Sequence, residues 1–295
     1  MEVSAKRPFT RAFPQPHLEM KMFARRLAGR ASSALVIAAI AVCAHAQAPR
    51  SEFKPQVGQA GKDVVWVPSP QELVDKMLEM AKVTPKDFLM DLGSGDGRTV
   101  ITAAKRGTRA LGVEYNPDMV ALSRRNAAAA GVGDKASFVE GDIFKTDLSR
   151  ATVITLFLLT ELNLKLRPTI LGLKPGTRIV SNTFRMGEWE PDQTVELGCD
   201  SYCTAYLWIV PARVEGSWQM PQGELTLKQE FQKFSGTLKS GNVVAPISKG
   251  SLRGDQITFF AGGAEYHGRV TGNAIEGTIK SSGKSQGWKA ARQPS

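Results

Sequence analysis

The residues best suited to chemistry stand in one run, Asp91-Leu92-Gly93-Ser94-Gly95-Asp96-Gly97. It follows an apolar segment and opens a helical one. Glycines there let the backbone turn tightly and approach a ligand, while a helix N-terminus offers unpaired amide donors. Glu114 lies 21 residues beyond Gly93, where an acid can accept hydrogen bonds from both hydroxyls of a ribose. A Gly141-Asp142 pair comes later still. The dinucleotide fingerprint G-x-G-x-x-G fails at Arg98, and no Gly-Lys-Ser/Thr ending marks a phosphate loop. Asp91 and Asp96 would repel a pyrophosphate but suit an ammonium or a sulfonium. The expected ligand is therefore a nucleoside that carries cationic groups in place of phosphates.

Elements must hold these residues, and the flanking pattern supplies them. Strand-like and helix-like segments alternate over 63–212, which predicts an α/β fold with a mainly parallel, Rossmann-like sheet and helices on both faces. Leu73, Val74, Met77, Leu78 and Ala81 recur at helical spacing behind Pro70. A short strand over 88–90 delivers Asp91, a helix follows over 99–105, and a second strand over 110–114 delivers Glu114. Residues 117–130 predict a helix with Pro117 in its first turn and Gly131 at its end. Strands are expected at 138–139, 153–158 and 178–181, with 195–197 and 205–210 as a closing antiparallel pair. After residue 212 alternation replaces helical spacing, and 13 of the 28 glycines fall in the last 83 residues. That texture predicts a small antiparallel β-sandwich or open barrel over 213–295.

S-adenosylmethionine (SAM) has the ammonium, the sulfonium and the ribose that the loop calls for, and no phosphate. On these residues, segment 63–212 resembles a class I, seven-strand SAM-dependent methyltransferase. The resemblance implies that Gly93, Gly95 and Gly97 hold the methionine end, with Asp91, Ser94 and Asp96 completing the loop. It further implies Glu114 at the ribose, Asp142 at the adenine amino group, and Ile143 or Phe144 packed on the ring. Val67-Pro68-Ser69-Pro70, the run DLGSGDGRTVITAAKRG and LKPGTRIVSNTF (173–184) resemble the protein-lysine branch of that family. That branch includes histone-lysine seven-strand enzymes and mitochondrial enzymes that modify membrane-carrier proteins, so a protein lysine is the implied acceptor. Many amino-methylating members carry Asn/Asp-Pro-Pro-Tyr after the fourth strand. This chain has Phe157-Leu158-Leu159-Thr160-Glu161 instead, which disfavours methylation of nucleic-acid bases. Thr160, Glu161 and Asn163 are the nearest polar candidates for positioning an acceptor or taking its proton.

Composition narrows the remaining classes. The chain has 295 residues, 42% of them hydrophobic, enough for two modules with real cores. Three cysteines and three histidines are too few for a structural zinc fold, a disulfide scaffold or a His-rich metal centre, and no metal is expected. Cys199 and Cys203 are read as a structural disulfide or two packed thiols. Lys21, Arg25, Arg26 and Arg30 precede an unbroken apolar run over 34–44, which Ala44-His45-Ala46 closes. This is the pattern of a secretory signal peptide over 1–46, and the run is shorter than the ~20 residues a membrane span needs. Polar residues 47–62 read as a linker. The leader holds seven of the 38 basic residues and two of the 28 acidic ones, so the net charge of +10 falls to +5 without it. Nucleic acid is accordingly not an expected partner, and the site of action is the bacterial periplasm or cell envelope. The leading reading is methyl transfer to a protein lysine. The alternatives are a small-molecule acceptor, a cytoplasmic location, or an exported protein that binds SAM or another nucleoside without turnover.

Overall fold

A computed structural model of the chain describes residues 53–199 and 201–294. The expected leader and the first residues of the expected linker lie outside the described residues. Helix α1 (Gln71–Met80) starts behind Pro70 and buries Leu73, Val74, Met77 and Leu78, the stripe that the 3.6-residue period defines. Strand β1 (Phe88–Leu92) leads into α2 (Arg98–Lys105), and β2 (Arg109–Glu114) into α3 (Pro117–Ala129). Asn116 caps α3, its Oδ1 accepting from the Asp118 amide at 2.9 Å, and Gly131 takes a positive φ just past the end. Then follow β3 (Ala136–Glu140), β4 (Val153–Leu156), α4 (Thr160–Leu171), β5 (Arg178–Asn182), β6 (Gln193–Glu196) and β7 (Thr204–Ile209).

These seven strands form one sheet in the order β3-β2-β1-β4-β5-β7-β6, parallel through β5 and antiparallel at β7 and β6. Alternate residues along the central strands feed two separate cores. Leu89, Val153, Val180 and Leu207 pack beneath α1, α2 and α3, while Met90, Ile154, Ile179 and Trp208 pack against Leu166 and Ile170 of α4. Burial on both faces explains the near-continuous apolar runs of β1 and β4. Helix α4 is absent from the expectations above. It carries Pro168 inside and buries only Asn163, Leu166 and Ile170, so no apolar stripe announces it.

The rest of the chain is an antiparallel meander: β8 (Gly216–Met220), β9 (Gly223–Glu230), β10 (Lys233–Ser240), β11 (Val243–Pro246), β12 (Ser248–Arg253), β13 (Gln256–Ala261), β14 (Ala264–Thr271), β15 (Ala274–Ser281) and β16 (Lys284–Arg292). Two-residue turns join most neighbours; Gly272-Asn273, for example, links the paired Thr271 and Ala274. A positive φ at Gly272 gives this turn the twist that adjacent strands require. The β16–β8 and β9–β10 pairings bring the two ends of the meander together. The result is the small antiparallel barrel that the alternation predicts, closed on itself, with β11 as a side branch on β10. Closure is physically favoured because it leaves no long unpaired edge. Trp218, Phe259, Tyr266 and Trp288 fill the interior, with the Phe259 and Tyr266 rings stacked at 4.5 Å. Phe231, in the β9–β10 turn, stacks on Trp189 at 6.0 Å, and Gln232 Nε2 donates to the Glu190 carbonyl at 2.7 Å. Among the described residues, no helix is long and apolar enough to cross a membrane.

Candidate active site

In the parallel sheet β1 lies between β2 and β4, so successive connections leave in opposite directions and a crevice opens beyond the carboxyl ends of the strands. Segments following β1, β2, β3 and β4 line a cleft there of about 1100 Å³, part of it open to solvent. The glycine run forms its floor. The Gly93 amide donates to the Val113 carbonyl at 2.9 Å, and Gly93, Gly95 and Gly97 hold φ of 82°, 55° and 83°. Two of these sites reject a side chain outright. A Cβ on Gly95 would lie 2.7 Å from Trp66 Nε1, and one on Gly97 would lie 2.8 Å from the Phe138 ring. Glu114 is held by both oxygens: Oε2 accepts from the Gly95 amide at 2.9 Å and Oε1 from the Asn116 amide at 3.0 Å. Its carboxylate thereby ties the loop to the end of β2.

The two loop aspartates sit in different surroundings. Asp91 is buried, and its Oδ1 accepts from Thr155 Oγ1 at 2.6 Å. Burial pushes its pKa from 3.8 up to about 7, a shift that Thr155 opposes and the nearby Glu114 and Asp96 charges reinforce. Asp96 pairs with the Arg98 guanidinium at 2.6 Å and accepts from the Arg98 amide at 3.2 Å, at the first turn of α2. Arg98 also donates to the Ser69 carbonyl at 2.7 Å, fastening the Val67–Pro70 segment to the loop. Ser94 Oγ is buried without a hydrogen-bond partner. Asp142, following β3, accepts from the Phe144 amide at 2.9 Å and pairs with Lys62 Nζ at 3.0 Å. These two contacts hold its carboxyl below the ordinary range.

Asp91, Gly93, Ser94, Gly95, Asp96, Glu114, Asp142 and Ile143 all line the cleft. Gly97 stands behind them at the N-cap of α2. Phe144 is not part of the lining; its ring packs with the core beside α4 and carries the Lys165 ammonium at 3.9 Å. Thr160, Glu161 and Asn163 fall on the first turn of α4, and none of them is in the lining, to which that turn contributes Leu162. Asn163 is fully buried, and its Nδ2 donates to the carbonyls of Phe184 and Arg185 at 3.2 and 3.3 Å.

One wall went unanticipated. Residues 58–66, most of them expected to be linker, fold back as a hairpin. The Gly58 amide donates to the Trp66 carbonyl and the Trp66 amide to the Gln59 carbonyl, both at 2.9 Å. The hairpin sets Trp66 over the glycine loop and lays Lys62 4.6 Å above the Tyr115 ring. The only trace of this in the sequence is Val64-Val65-Trp66-Val67, an apolar stretch too short to fold alone. Among the described residues, no group of three or more His, Cys, Asp or Glu side chains could hold a metal ion.

The sheet order, the glycine floor and the acid that ends β2 define a class I methyltransferase core. The ANTKMT methyltransferase domain family matches residues 91–193. A protein-lysine N-methyltransferase of Saccharolobus islandicus is 42% identical over 151 residues, covering 50% of this chain and 94% of that protein. An adenine nucleotide translocase lysine N-methyltransferase of Mus musculus is 32% identical over 139 residues, covering 46% of this chain and 60% of that protein. A crystal structure of an RNA methyltransferase from Salinibacter ruber in complex with S-adenosyl-L-homocysteine is 50% identical, covering 50% of this chain and 96% of that one at a TM-score of 0.48. The chain belongs to the family of that Saccharolobus enzyme, within the class I SAM-dependent methyltransferases.

The cleft suits SAM. The glycine cradle and the buried Asp91 carboxyl line a polar, close-fitting end of the cleft. The carboxylate of Glu114, oriented by two amides, lines the cleft beside them.

Proposed function

We propose that this protein transfers the SAM methyl group to the side-chain amine of a protein lysine, in the periplasm or cell envelope. One observation carries the lysine reading: the catalytic core is 42% identical to a relative named for that activity, and it covers 94% of that relative's length. The disulfide between Cys199 and Cys203 supports the location, since such bonds persist in oxidising compartments. The basic start and apolar run over 1–46 support it too.

Bound SAM supplies an electrophilic methyl group on a sulfonium sulfur. Asp91, Ser94 and the glycine backbone fix the methionine end, Glu114 the ribose, and Asp142 with Ile143 the adenine. Phe157, Leu158 and Leu162 form an apolar wall of the cleft that excludes water. Desolvation there lowers the pKa of an entering lysine ammonium, so its proton leaves to solvent. The neutral amine then forms the N–C bond as the C–S bond breaks. The electron pair of that bond stays on sulfur, and the positive charge passes from sulfur to nitrogen. Holding the amine in line with the methyl supplies much of the acceleration.

The test incubates the full chain with methyl-labelled SAM and cell-envelope proteins and maps the label by mass spectrometry. Label on lysine is expected. Label on a small molecule would replace the acceptor, and tight SAM binding with no S-adenosylhomocysteine formed would favour a binding protein. Sequencing the N-terminus of the protein recovered from the periplasm tests export, with a start near Gln47 expected.

A further inference from the structure

Beside the cleft, continuous with Phe157 of its lining, stands an aromatic cluster outside the cofactor-binding set. Phe157 follows β4 and lines the cleft, Phe184 follows β5, and Tyr202 precedes β7. The Phe157 ring lies 5.3 Å from Tyr202 and 6.1 Å from Phe184, and Phe184 lies 6.4 Å from Tyr202. Three rings from three strand ends thus close a triangle. None of them belongs to a core cluster, and Tyr202 is 40% exposed.

Keeping this triangle at the surface runs against two ordinary tendencies. Aromatic rings gain by full burial, which these forgo. Moreover Thr183, immediately before Phe184, and Tyr202 itself hold φ of 60° and 56°, the left-handed region that side chains other than glycine rarely adopt. Such strain persists only where neighbours enforce it. Here Ser181 Oγ donates to the Phe184 carbonyl at 2.8 Å, the buried Asn163 donates to the same carbonyl, and the Cys199–Cys203 disulfide brackets Tyr202.

We propose that Phe157, Phe184 and Tyr202 form the port that receives the acceptor cation and leads it to the methyl donor. The proposal rests on the lysine reading above and deepens it. An ammonium within about 6 Å of an aromatic centroid is drawn to the ring face. Apolar rings also accept the aliphatic stem of lysine. Asn163 is a positioning residue here, acting through the Phe184 backbone.

The test uses the full chain saturated with S-adenosylhomocysteine, titrated with choline and with its neutral isostere 3,3-dimethyl-1-butanol. Choline is expected to bind about tenfold more tightly than the isostere, and Tyr202→Leu and Phe184→Leu each to weaken it about tenfold. Affinity for S-adenosylhomocysteine should stay within about twofold in both variants, as for ligand sites that do not touch. With poly-L-lysine and SAM, the variants should raise KM about tenfold and leave kcat little changed. Equal affinity for the two probes, or no effect of either variant, would overturn the port. So would loss of S-adenosylhomocysteine binding in both variants, which marks a purely structural role. Preference for choline together with an unmodified poly-L-lysine would instead remove the lysine reading and leave the port to another cationic acceptor.

Discussion

Asp91 is the residue whose charge a ligand decides. In the free protein its pKa lies near 7, because burial and the neighbouring Glu114 and Asp96 charges disfavour the carboxylate. The unfolded chain releases this proton near 3.8, so the contribution of Asp91 to stability is fully present below 3.8 and is lost as pH rises through 7. A cationic methionine end reverses the preference and favours the carboxylate. SAM binding should therefore release a proton below pH 7 and weaken as pH falls, by at most about tenfold per unit. Calorimetry in buffers of different ionisation enthalpy reads that proton directly, and an affinity unchanged between pH 5.5 and 7.5 would exclude the role. Two substitutions probe the rest of the seat. Gly95→Arg drives a side chain into Trp66, and Glu114→Ala removes the acceptor that two amides orient. Both should lower SAM affinity by about a hundredfold or more, as expected when a charged hydrogen-bond partner or the space for a ligand is lost.

At the scale of elements, the hairpin over 58–66 matters most. It owes its place to few contacts, chiefly the Lys62–Asp142 pair, the Lys62–Tyr115 contact and the Trp66 packing. Trp66→Ala should speed SAM dissociation about tenfold while leaving the fold intact, since it strips apolar wall from the ligand and little from either core. Stopped-flow displacement measures that rate. Gly97→Ala should behave differently. The new methyl meets Phe138 and Ser123 and the left-handed backbone resists it, so a loss of about 2–4 kcal/mol is expected in denaturant unfolding. How far these elements could be read in advance followed their local signals. Helices α1 and α3 were legible because a stripe, a proline and a glycine mark them. Helix α4 was not, because its buried face begins with Asn163 and Pro168 interrupts it. The hairpin was hidden because its polar residues are stabilised only by the cleft they cover.

On the scale of the whole molecule, the barrel is joined to the sheet through the Phe231–Trp189 stack, the Arg167 guanidinium 5.4 Å from the Phe231 ring, and the Ala212 amide donating to the Gly254 carbonyl at 2.8 Å. Phe231→Ala should cost about 1–3 kcal/mol and lower the Tm by several degrees, without changing SAM affinity. Differential scanning calorimetry would show it, and an unchanged Tm would mean the stack contributes nothing. By itself the sequence determined the α/β order of elements, the glycine loop with its two acids, and the meander of short strands. Those depend on side-chain period and on the backbone freedom of single residues, which are properties of neighbours along the chain. Barrel closure, the hairpin over the cleft and the triangle of Phe157, Phe184 and Tyr202 were decided only by tertiary structure. Each joins residues far apart in sequence whose meeting depends on strand order, and strand order is settled by the burial of both sheet faces at once.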